Sequence, residues 1–315
     1  MKKPQIAYLL LVYRQPMMMG RLMRALASPH AHFFIHVDRK TDAAPFLEQI
    51  PEGATVTLVP RVRVYWAGFS QIRAMLNLLS AATRCPQAFR YYCLLTCSDF
   101  PIKPREEIEQ LLLTSEKEFI SIDRRLDESA PRRQWSYVHR YHFMDTAITN
   151  PRVTATGMKL FLRRCVSKFE DKLNLWLPRT RFWNGMIPYH GSTYWGLSHD
   201  CVAQVLGFIR QHPGYSRYFR TVQDADETFF HTLVRNSSFA GRISHDFEAG
   251  DRPQNEYGLH YIDWETPGVY LPKTLDETDL ARLLASSACF ARKFDESVSM
   301  GLLRRLAAQN GMAIA

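Results

Sequence analysis

Short apolar runs alternate with helical patterns along the first 122 residues. Five of these runs predict strands, at residues 5–13, 32–37, 54–60, 91–96 and 118–122. Three segments between them repeat apolar side chains at helical spacing, at residues 17–26, 68–82 and 106–113. Strands that alternate with helices predict an α/β fold, with a mostly parallel sheet flanked by helices on both faces.

The pattern is less regular after residue 122. Residues 123–150 predict a long loop with many charged and aromatic side chains. The later elements that the pattern predicts are a basic helix at 157–177, a strand-like stretch at 191–198, helices at 200–210 and 280–284, short strands within 239–264 and a terminal helix. The chain has neither an internal repeat nor an obvious linker, so we expect a single domain over residues 1–315.

Composition and charge narrow the class of protein. With 46% hydrophobic and 23% charged residues the composition is that of an ordinary soluble protein, and the net charge of +9 favours anionic partners. The six cysteines form no CxxC pair, which predicts reduced thiols. The apolar run after Met1–Lys3 is too short for a signal peptide, and no segment reaches the ~20 apolar residues of a transmembrane helix. We therefore expect a cytoplasmic protein. For the helix at 157–177, a solvated face and a peripheral contact with the inner membrane both stay open.

Three carboxylates crowd into residues 224–227, immediately before an apolar helical pattern. One interpretation is a helix from about Asp226 to Asn236 with acidic residues at its amino end, where the helix dipole favours them. A second is a divalent cation held by Asp224 and Asp226. A third is that Glu227 acts as a general base at the mouth of a substrate pocket.

Other candidate residues lie where the predicted strands end, the edge at which open α/β sheets bind ligands. Neither GxGxxG nor GxxxxGK[ST] follows the first strand, so a dinucleotide fold and a P-loop are not supported. Asp38 can accept hydrogen bonds from a uracil or ribose, and Trp66 can stack on a base, although a loop cap and a core aromatic are equally ordinary roles. Arg292 and Lys293, between aromatic residues, can neutralise a diphosphate.

The loop at 123–150 is a candidate surface for an acceptor. Its aromatic faces and forked donors suit sugar rings, and single-stranded nucleic acid can also use such groups. No recognised nucleic-acid motif accompanies them, so we do not expect a nucleic-acid partner. The residues predicted to bind the acceptor are Arg132, Trp135, Tyr137, Arg140 and, outside the loop, Trp195.

Six ordered motifs together resemble one family, the core-2/I-branching β-1,6-N-acetylglucosaminyltransferases and peptide O-xylosyltransferases of glycosyltransferase family 14. The motifs are residues 35–40 (IHVDRK), 65–68 (YWAG), 98–103 (SDFPIK), 191–195 (GSTYW), 226–232 (DETFFHT) and 290–295 (FARKFD). The resemblance implies a GT-A-type, Rossmann-like nucleotide-sugar fold. It also implies a UDP-sugar donor, inversion at the anomeric carbon and no metal cofactor.

The resemblance also implies roles for individual residues. Glu227 falls on the catalytic base, which leaves Asp226 as a helix cap and gives Asp224 no role. Asp38 falls on the residue that contacts uridine, Trp66 on the aromatic that covers the base, and Lys293 on the lysine that grips the diphosphate. The remaining residues that we assign to the donor are Val12, Arg14, Thr193 and Arg292, of which Arg292 matches the xylosyltransferase branch.

The chain departs from the family at several positions. The xylosyltransferases carry an acidic residue at the position of Thr193, and the N-acetylglucosaminyl branch has a phosphate-binding arginine where spacing puts Tyr270, with Lys273 nearby. Arg292 is the candidate substitute. The animal enzymes use disulfides and a Golgi anchor, for which this chain shows no signal.

We therefore expect an inverting, metal-independent transferase, with residues 1–122 as the nucleotide-binding half and 123–315 as the acceptor-binding and catalytic half. N-acetylglucosamine is the first choice of donor sugar and xylose the second, and the acceptor is a glycan, a lipid-linked glycan or a protein. The alternatives are peptide O-xylosyltransferase-type activity and a catalytically silent module that binds a nucleotide or glycan.

Overall fold

A seven-stranded sheet forms the centre of the computed structural model, which describes residues 5–250 and 255–313. The strands, in chain order, are β1 Ile6–Val12, β2 Ala31–Val37, β3 Val56–Leu58, β4 Tyr91–Thr96, β5 Asp99–Pro101, β6 Glu118–Ile122, β7 Arg124–Arg125, β8 Tyr189–His190, β9 Gly196–Ser198, β10 Ile243–Asp246, β11 Glu256–Tyr257, β12 His260–Ile262 and β13 Phe290–Arg292. The helices are α1 Pro16–Leu26, α2 Ala44–Leu47, α3 Phe69–Arg84, α4 Arg105–Thr114, α5 Arg132–His139, α6 Gly157–Trp176, α7 His199–Gln211, α8 Pro213–Phe219, α9 Phe229–Arg235, α10 Leu280–Ala285 and α11 Met300–Asn310.

The central sheet has the strand order β10-β6-β9-β4-β1-β2-β3. Its neighbouring strands are parallel except at β9, which is antiparallel to both β4 and β6. The prediction of a mostly parallel α/β sheet with flanking helices is therefore confirmed. Since β9 and β10 come from beyond residue 122, both predicted halves of the chain contribute strands to one sheet.

Helices cover both faces of the central sheet, which explains why its first strands could be predicted from continuous apolar runs in the sequence. Along β1, Ala7 and Leu9 face one hydrophobic core together with residues of α3, α7 and α9. Ile6, Tyr8 and Leu10 face a second core together with residues of α1 and α4. Because both faces are covered, every position of the strand is apolar, as expected for a parallel strand between two layers of helices.

A smaller sheet lies beside the central one, with the order β11-β12-β13-β5. β13 runs antiparallel to β5, so that Arg292 lies opposite Asp99. A third hydrophobic core, with Phe100, Phe294 and Leu302 among its residues, packs α11 against this sheet. The sheet therefore carries Arg292 and Lys293 next to the segment that follows β4.

Three predicted elements differ from the observed ones. The predicted loop at 123–150 contains the helix α5, whose short apolar pattern among charged residues gave little signal. The single helix predicted from Asp226 is a 3₁₀ turn at Ala225–Glu227 followed by α9, and Asp226 does not cap it. The strand-like stretch at 191–198 is a strand only over β9.

Close packing at Gly191 accounts for the irregular start of the stretch at 191–198. A Cβ atom on Gly191 would lie 1.8 Å from the carbonyl oxygen of Ser121 and 2.6 Å from the His231 ring. Gly191 instead uses its backbone, and its N–H donates to the carbonyl oxygen of Glu227 at 2.9 Å. Only glycine allows the segment to approach β6 this closely.

The remaining predictions concern termini, thiols and the membrane. Residues 1–4, part of the stretch compared with a signal peptide, lie outside the described residues, and the apolar run from Ile6 forms β1. Residues 251–254, within the region predicted to form short strands, also lie outside the described residues. All six cysteines are free thiols, as predicted. Within the described ranges, none of the helices combines the length and the hydropathy that crossing a bilayer would require.

Candidate active site

Glu227 lies in the 3₁₀ turn before α9, with about a third of its side chain exposed. Its Oε2 atom lies 3.0 Å from Nε2 of His190, at the end of β8. Its backbone is fixed from both sides, because its N–H donates to the carbonyl oxygen of Asp224 and its own carbonyl oxygen accepts from Gly191. The carboxylate is therefore held in one orientation and still reaches the surface.

His190 lies between two carboxylates. Its Nδ1 atom is 3.4 Å from Oδ2 of Asp123, which directly follows β6, and its ring is nearly buried. Burial by itself favours the neutral imidazole, but the contacts with Asp123 and Glu227 outweigh it and raise the pKa of His190 to about 10. At neutral pH His190 is therefore an imidazolium that donates a hydrogen bond to Glu227.

The other two carboxylates of the acidic cluster have separate partners. The Oδ2 atom of Asp226 accepts from Nε2 of Gln71 on α3 at 2.7 Å and from Oγ1 of Thr193 at 2.8 Å. Asp224 has a left-handed backbone, and its carboxylate accepts from the Gln223 amide. The predicted helix cap at Asp226 is thus wrong, because its carboxylate bonds to side chains of other segments.

Burial and like charge act on both of these aspartates. Burial, followed by the charge of Glu227, raises the pKa of Asp224 to about 6. Burial and the charges of Glu227 and Asp224 also raise the pKa of Asp226. Among the described residues, no group of three or more His, Cys, Asp or Glu side chains has an arrangement that could hold a metal ion.

A second group of side chains is strongly cationic. Arg292 lies over the Tyr194 ring at 3.9 Å, and its Nε atom is 3.6 Å from the buried Oδ1 of Asp99. Arg14 donates to the hydroxyl of Ser98 at 3.1 Å. Burial lowers the pKa of Lys293, and the nearby charges of Arg14, Arg292 and Arg152 lower it further. Such crowding of cations is the electrostatic condition for binding an anion.

Arg152 was not among the predicted site residues. Its guanidinium lies over the Trp66 ring at 4.3 Å, and its backbone N–H donates to the side chain of Asn150. The buried Asn150 also donates to the backbone carbonyl of Trp66 at 2.7 Å. Trp66 itself is 41% exposed. No sequence pattern indicates this contact, since it joins segments that are more than 80 residues apart.

Thr193 and Tyr194 connect the carboxylates to the cations. Thr193 bonds to Asp226, next to the proposed base, whereas Tyr194 supports the guanidinium of Arg292. Because these residues are consecutive, one short segment contacts both the acidic cluster and the cationic group. The structure thus brings together Glu227, Thr193, Arg14, Arg292, Lys293 and Trp66, all predicted from the sequence.

Asp38 lies at the end of β2 and is largely buried. Its Oδ1 atom accepts from the N–H groups of Lys40 and Val64, at 2.9 and 3.4 Å, and its Oδ2 atom lies 3.1 Å from the Lys40 ammonium group. These contacts organise the segment that leads to Trp66. The contact of Asp38 with a nucleotide stays a prediction.

Two of the residues predicted to contact a substrate have buried side chains. Val12 is 1% exposed within the second core, and its carbonyl oxygen accepts from the N–H of Asp38. Trp195 is fully buried against Phe230. The side chain of Val12 therefore has no surface for a donor, and Trp195 has none for an acceptor. Lys273, near the predicted phosphate position, is buried in an ion pair with Asp279.

The predicted acceptor residues of the 123–150 segment lie on α5 or, for Arg140, directly after it, and they have different surroundings. Tyr137 lies near His190, with ring centroids 6.5 Å apart, and burial together with the charge of Asp224 raises its pKa. Trp135 stacks on His139, and Arg140 pairs with Asp171 on α6. Arg132 is exposed, whereas Arg133, which was not predicted, is the arginine close enough to act on Asp224 and Tyr137.

A groove of about 280 Å³ lies at the opposite, amino end of the strands. Its lining includes Arg90, Glu116 and Arg242. Both arginines are paired with Glu116, so their charges are already compensated. We therefore place the candidate active site at the carboxyl edge of the sheet, where Glu227 and the crowded cations Arg14 and Lys293 lie.

A partly exposed carboxylate next to a cationic group at this edge has the electrostatics of a site for an anionic ligand. A sequence model described as "Core-2/I-Branching enzyme" matches residues 6–284. The chain belongs to the core-2/I-branching enzyme family, as the sequence motifs predicted.

Curated relatives include both branches of that family. The chain is 25% identical over 320 residues to a xylosyltransferase of Ciona intestinalis, covering 96% of this chain and 34% of that protein. It is 24% identical over 322 residues to the human β-1,3-galactosyl-O-glycosyl-glycoprotein β-1,6-N-acetylglucosaminyltransferase, covering 94% of this chain and 67% of that protein. The chain thus spans about a third of the length of the xylosyltransferase.

A solved structure with a similar arrangement is that of the bifunctional glycosyltransferase WbbM without ligand. The two chains are 11% identical, with a TM-score of 0.39, over 94% of this chain and 46% of the other.

We expect Asp224→Asn to stabilise the protein at pH 8 and to have no such effect at pH 4. The folded protein binds the Asp224 proton more tightly than the unfolded chain does, so stability falls as the pH rises from about 4 through about 6. Asparagine removes this charge and tolerates the left-handed backbone. Chemical denaturation at both pH values should show a gain of up to about 3 kcal/mol at pH 8, since one pKa unit corresponds to about 1.4 kcal/mol.

The matched control is Asp200→Asn, in the first turn of α7, where a negative charge is favourable. That variant should gain no stability at either pH. A loss of stability of Asp224→Asn at pH 8 would contradict the electrostatic interpretation.

Proposed function

We propose that this chain is a glycosyltransferase that moves a sugar from a UDP-sugar to an acceptor hydroxyl, with Glu227 as the general base. The observation that carries this proposal is the partly exposed carboxylate of Glu227, held by His190 beside the cationic group of Arg14, Arg292 and Lys293. Relatives named for N-acetylglucosamine transfer and for xylose transfer both support a sugar nucleotide as donor. N-acetylglucosamine is our first choice of sugar and xylose the second.

The proposed reaction is a single displacement. Glu227 takes the proton of the acceptor hydroxyl. At the same time the hydroxyl oxygen forms a bond to the anomeric carbon from the face opposite UDP. The bond between that carbon and the β-phosphate oxygen breaks, and its electron pair stays on the phosphate. The configuration at the anomeric carbon is therefore inverted.

His190 and Asp123 support the base in this mechanism. The imidazolium holds one carboxylate oxygen of Glu227, so the other oxygen can turn to the substrate. Its positive charge also offsets part of the negative charge that Glu227 shares with the two neighbouring aspartates. Asp123 stabilises the imidazolium through its charge, with its Oδ2 atom 3.4 Å from Nδ1 of His190.

The cationic group would stabilise the leaving UDP. Negative charge builds up on the β-phosphate as the bond breaks, and fixed guanidinium and ammonium groups stabilise such charge without reorganisation. Arg14, Arg292 and Lys293 lie where the strand ends meet, and Arg152 approaches from the side of Trp66. These side chains would act where most related folds use a metal ion, and the uracil ring of the donor would stack on Trp66.

The first test is a panel of UDP-sugars incubated with the protein, first without acceptor and then with candidate glycans. We expect UDP release that depends on the donor, with UDP-N-acetylglucosamine preferred. The matched control is the same panel with the Glu227→Gln variant. Binding of UDP without release from any donor would instead indicate a nucleotide-binding module that does not catalyse transfer.

We expect Glu227→Gln to lower turnover by about 10²–10⁴-fold, which is the usual contribution of a general base. The amide has nearly the same shape but cannot take the proton, and UDP should still bind, as measured by calorimetry. Glu48→Gln, at the exposed position directly after α2, is the matched control and should keep full activity. Near-normal turnover of Glu227→Gln would refute the assignment of the base.

We expect transfer to continue in excess EDTA, because Arg292 and Lys293 supply the positive charge that a metal would otherwise provide. Initial rates before and after chelation provide the measurement, with added manganese as the second arm. Strong loss in EDTA that manganese restores would instead favour Asp224 and Asp226 as metal ligands.

A further inference from the structure

The helix α6 presents a broad and largely exposed apolar face, of which only Phe169 makes a ring contact with the rest of the described chain, with Phe143. None of its residues is buried, although it is 20 residues long. Phe161 is 60% exposed and Trp176 73% exposed. Large apolar side chains at this exposure are costly in water when they form one continuous patch, so such a patch usually marks an interaction surface.

The exposed side chains form one stripe along α6. Counted from Met158, the residues Phe161, Leu162, Phe169 and Trp176 follow after three, four, eleven and eighteen positions. These intervals are close to whole turns of an α-helix, so all five side chains lie on one face. A helix of this length presents the stripe over about 30 Å.

The opposite face of α6 is attached to the protein. Arg163 donates to the backbone carbonyls of Ile148, Asn150 and Val153, and Asn174 exchanges hydrogen bonds with the backbone of Tyr141. Glu170 accepts from the N–H of Phe143. The helix is therefore held in one rotation, with the apolar stripe outward.

Positive charge borders the stripe. Arg164, Lys168 and Lys172 are exposed and lie on the outer side of α6 by helical spacing. The two acids of the helix face other partners, since Glu170 bonds to the 142–143 segment and Asp171 pairs with Arg140. The outer surface of α6 is therefore apolar along its centre and cationic along one edge.

We propose that α6 binds the surface of an anionic bilayer and lies in the plane of the interface. An apolar stripe inserts among the lipid chains while the cationic edge meets the headgroups, which is the arrangement of interfacial amphipathic helices. A second copy of this chain fits the same face less well, because it would bring two cationic edges together. The proposal does not depend on the transfer reaction.

The docked orientation has a consequence for the candidate active site. The segment clamped by Arg163 includes Asn150 and leads directly to Arg152, which lies over Trp66. Contact of α6 with a bilayer therefore brings the nucleotide end of the site close to the lipid surface.

The test is co-sedimentation of the full chain with vesicles of phosphatidylcholine, with and without phosphatidylglycerol. We expect binding only to the vesicles that contain the anionic lipid, and weaker binding at higher salt. Lys168→Glu combined with Lys172→Glu should weaken binding at least about tenfold, because each basic residue near an anionic surface contributes about 1 kcal/mol. Phe161→Ser combined with Trp176→Ser should weaken it similarly by removing apolar contact.

Matched controls separate α6 from general charge and hydrophobicity. Arg304→Glu with Arg305→Glu changes the net charge equally on the exposed side of α11, and Leu58→Ser with Val298→Ser removes exposed apolar side chains elsewhere. Both control variants should bind the anionic vesicles like the unmodified chain. Because all substituted residues are exposed, circular dichroism should show an unchanged fold.

Three results would overturn the proposal. The first is no binding to anionic vesicles at low salt, and the second is binding that the α11 charge variant weakens as much as the α6 charge variant does. The third is that the chain does not bind vesicles but self-associates in sedimentation velocity, and that only the Phe161→Ser, Trp176→Ser variant abolishes this association. That result would assign the apolar face of α6 to a second copy of the chain. UDP binding measured separately shows whether the donor site is intact, so failure here is distinguishable from failure of the proposed reaction.

Discussion

The contact of His190 with Glu227 and Asp123 is the interaction on which the arrangement of the candidate site depends. It joins three segments that are far apart in the chain: the end of β6, the short strand β8 and the turn before α9. Each carboxylate favours the charged imidazole, and together they raise the pKa of His190. Without this cation, the acidic cluster at 224–227 would consist of like charges with little to offset their repulsion.

Charge is separated across the site. Carboxylates crowd at one end around Glu227, and cations crowd at the other around Lys293, where burial and neighbouring positive groups lower the pKa of the lysine. Both ends carry an electrostatic cost in the protein without a ligand. A substrate with a hydroxyl at one end and a diphosphate at the other would relieve part of that cost, which is the electrostatic basis of the proposed transfer reaction.

The predicted strands and most predicted helices were found because each follows from a local pattern. β1 and β2 are apolar throughout, since helices cover both faces of the sheet, and α7 begins at Ser198, whose hydroxyl caps it. The short helix α5 was missed because its pattern covers barely two turns and is dominated by arginine and aromatic residues. Asp226 was misassigned because its preference for a helix start competes with hydrogen bonds to Gln71 and Thr193, which no local pattern reveals.

The sequence by itself determined the alternation of strands and helices and the family, and it supplied the candidates for the base and for the cations that we propose to bind phosphate. These depend on local periodicity and on short motifs, whose information lies within a few neighbouring residues. The tertiary structure decided which side chains reach the site. It buried Val12 and Trp195, added Arg152 and Arg133, and placed His190 between Asp123 and Glu227. Burial and pairing across dozens of residues depend on how the elements pack, and local patterns do not contain that information.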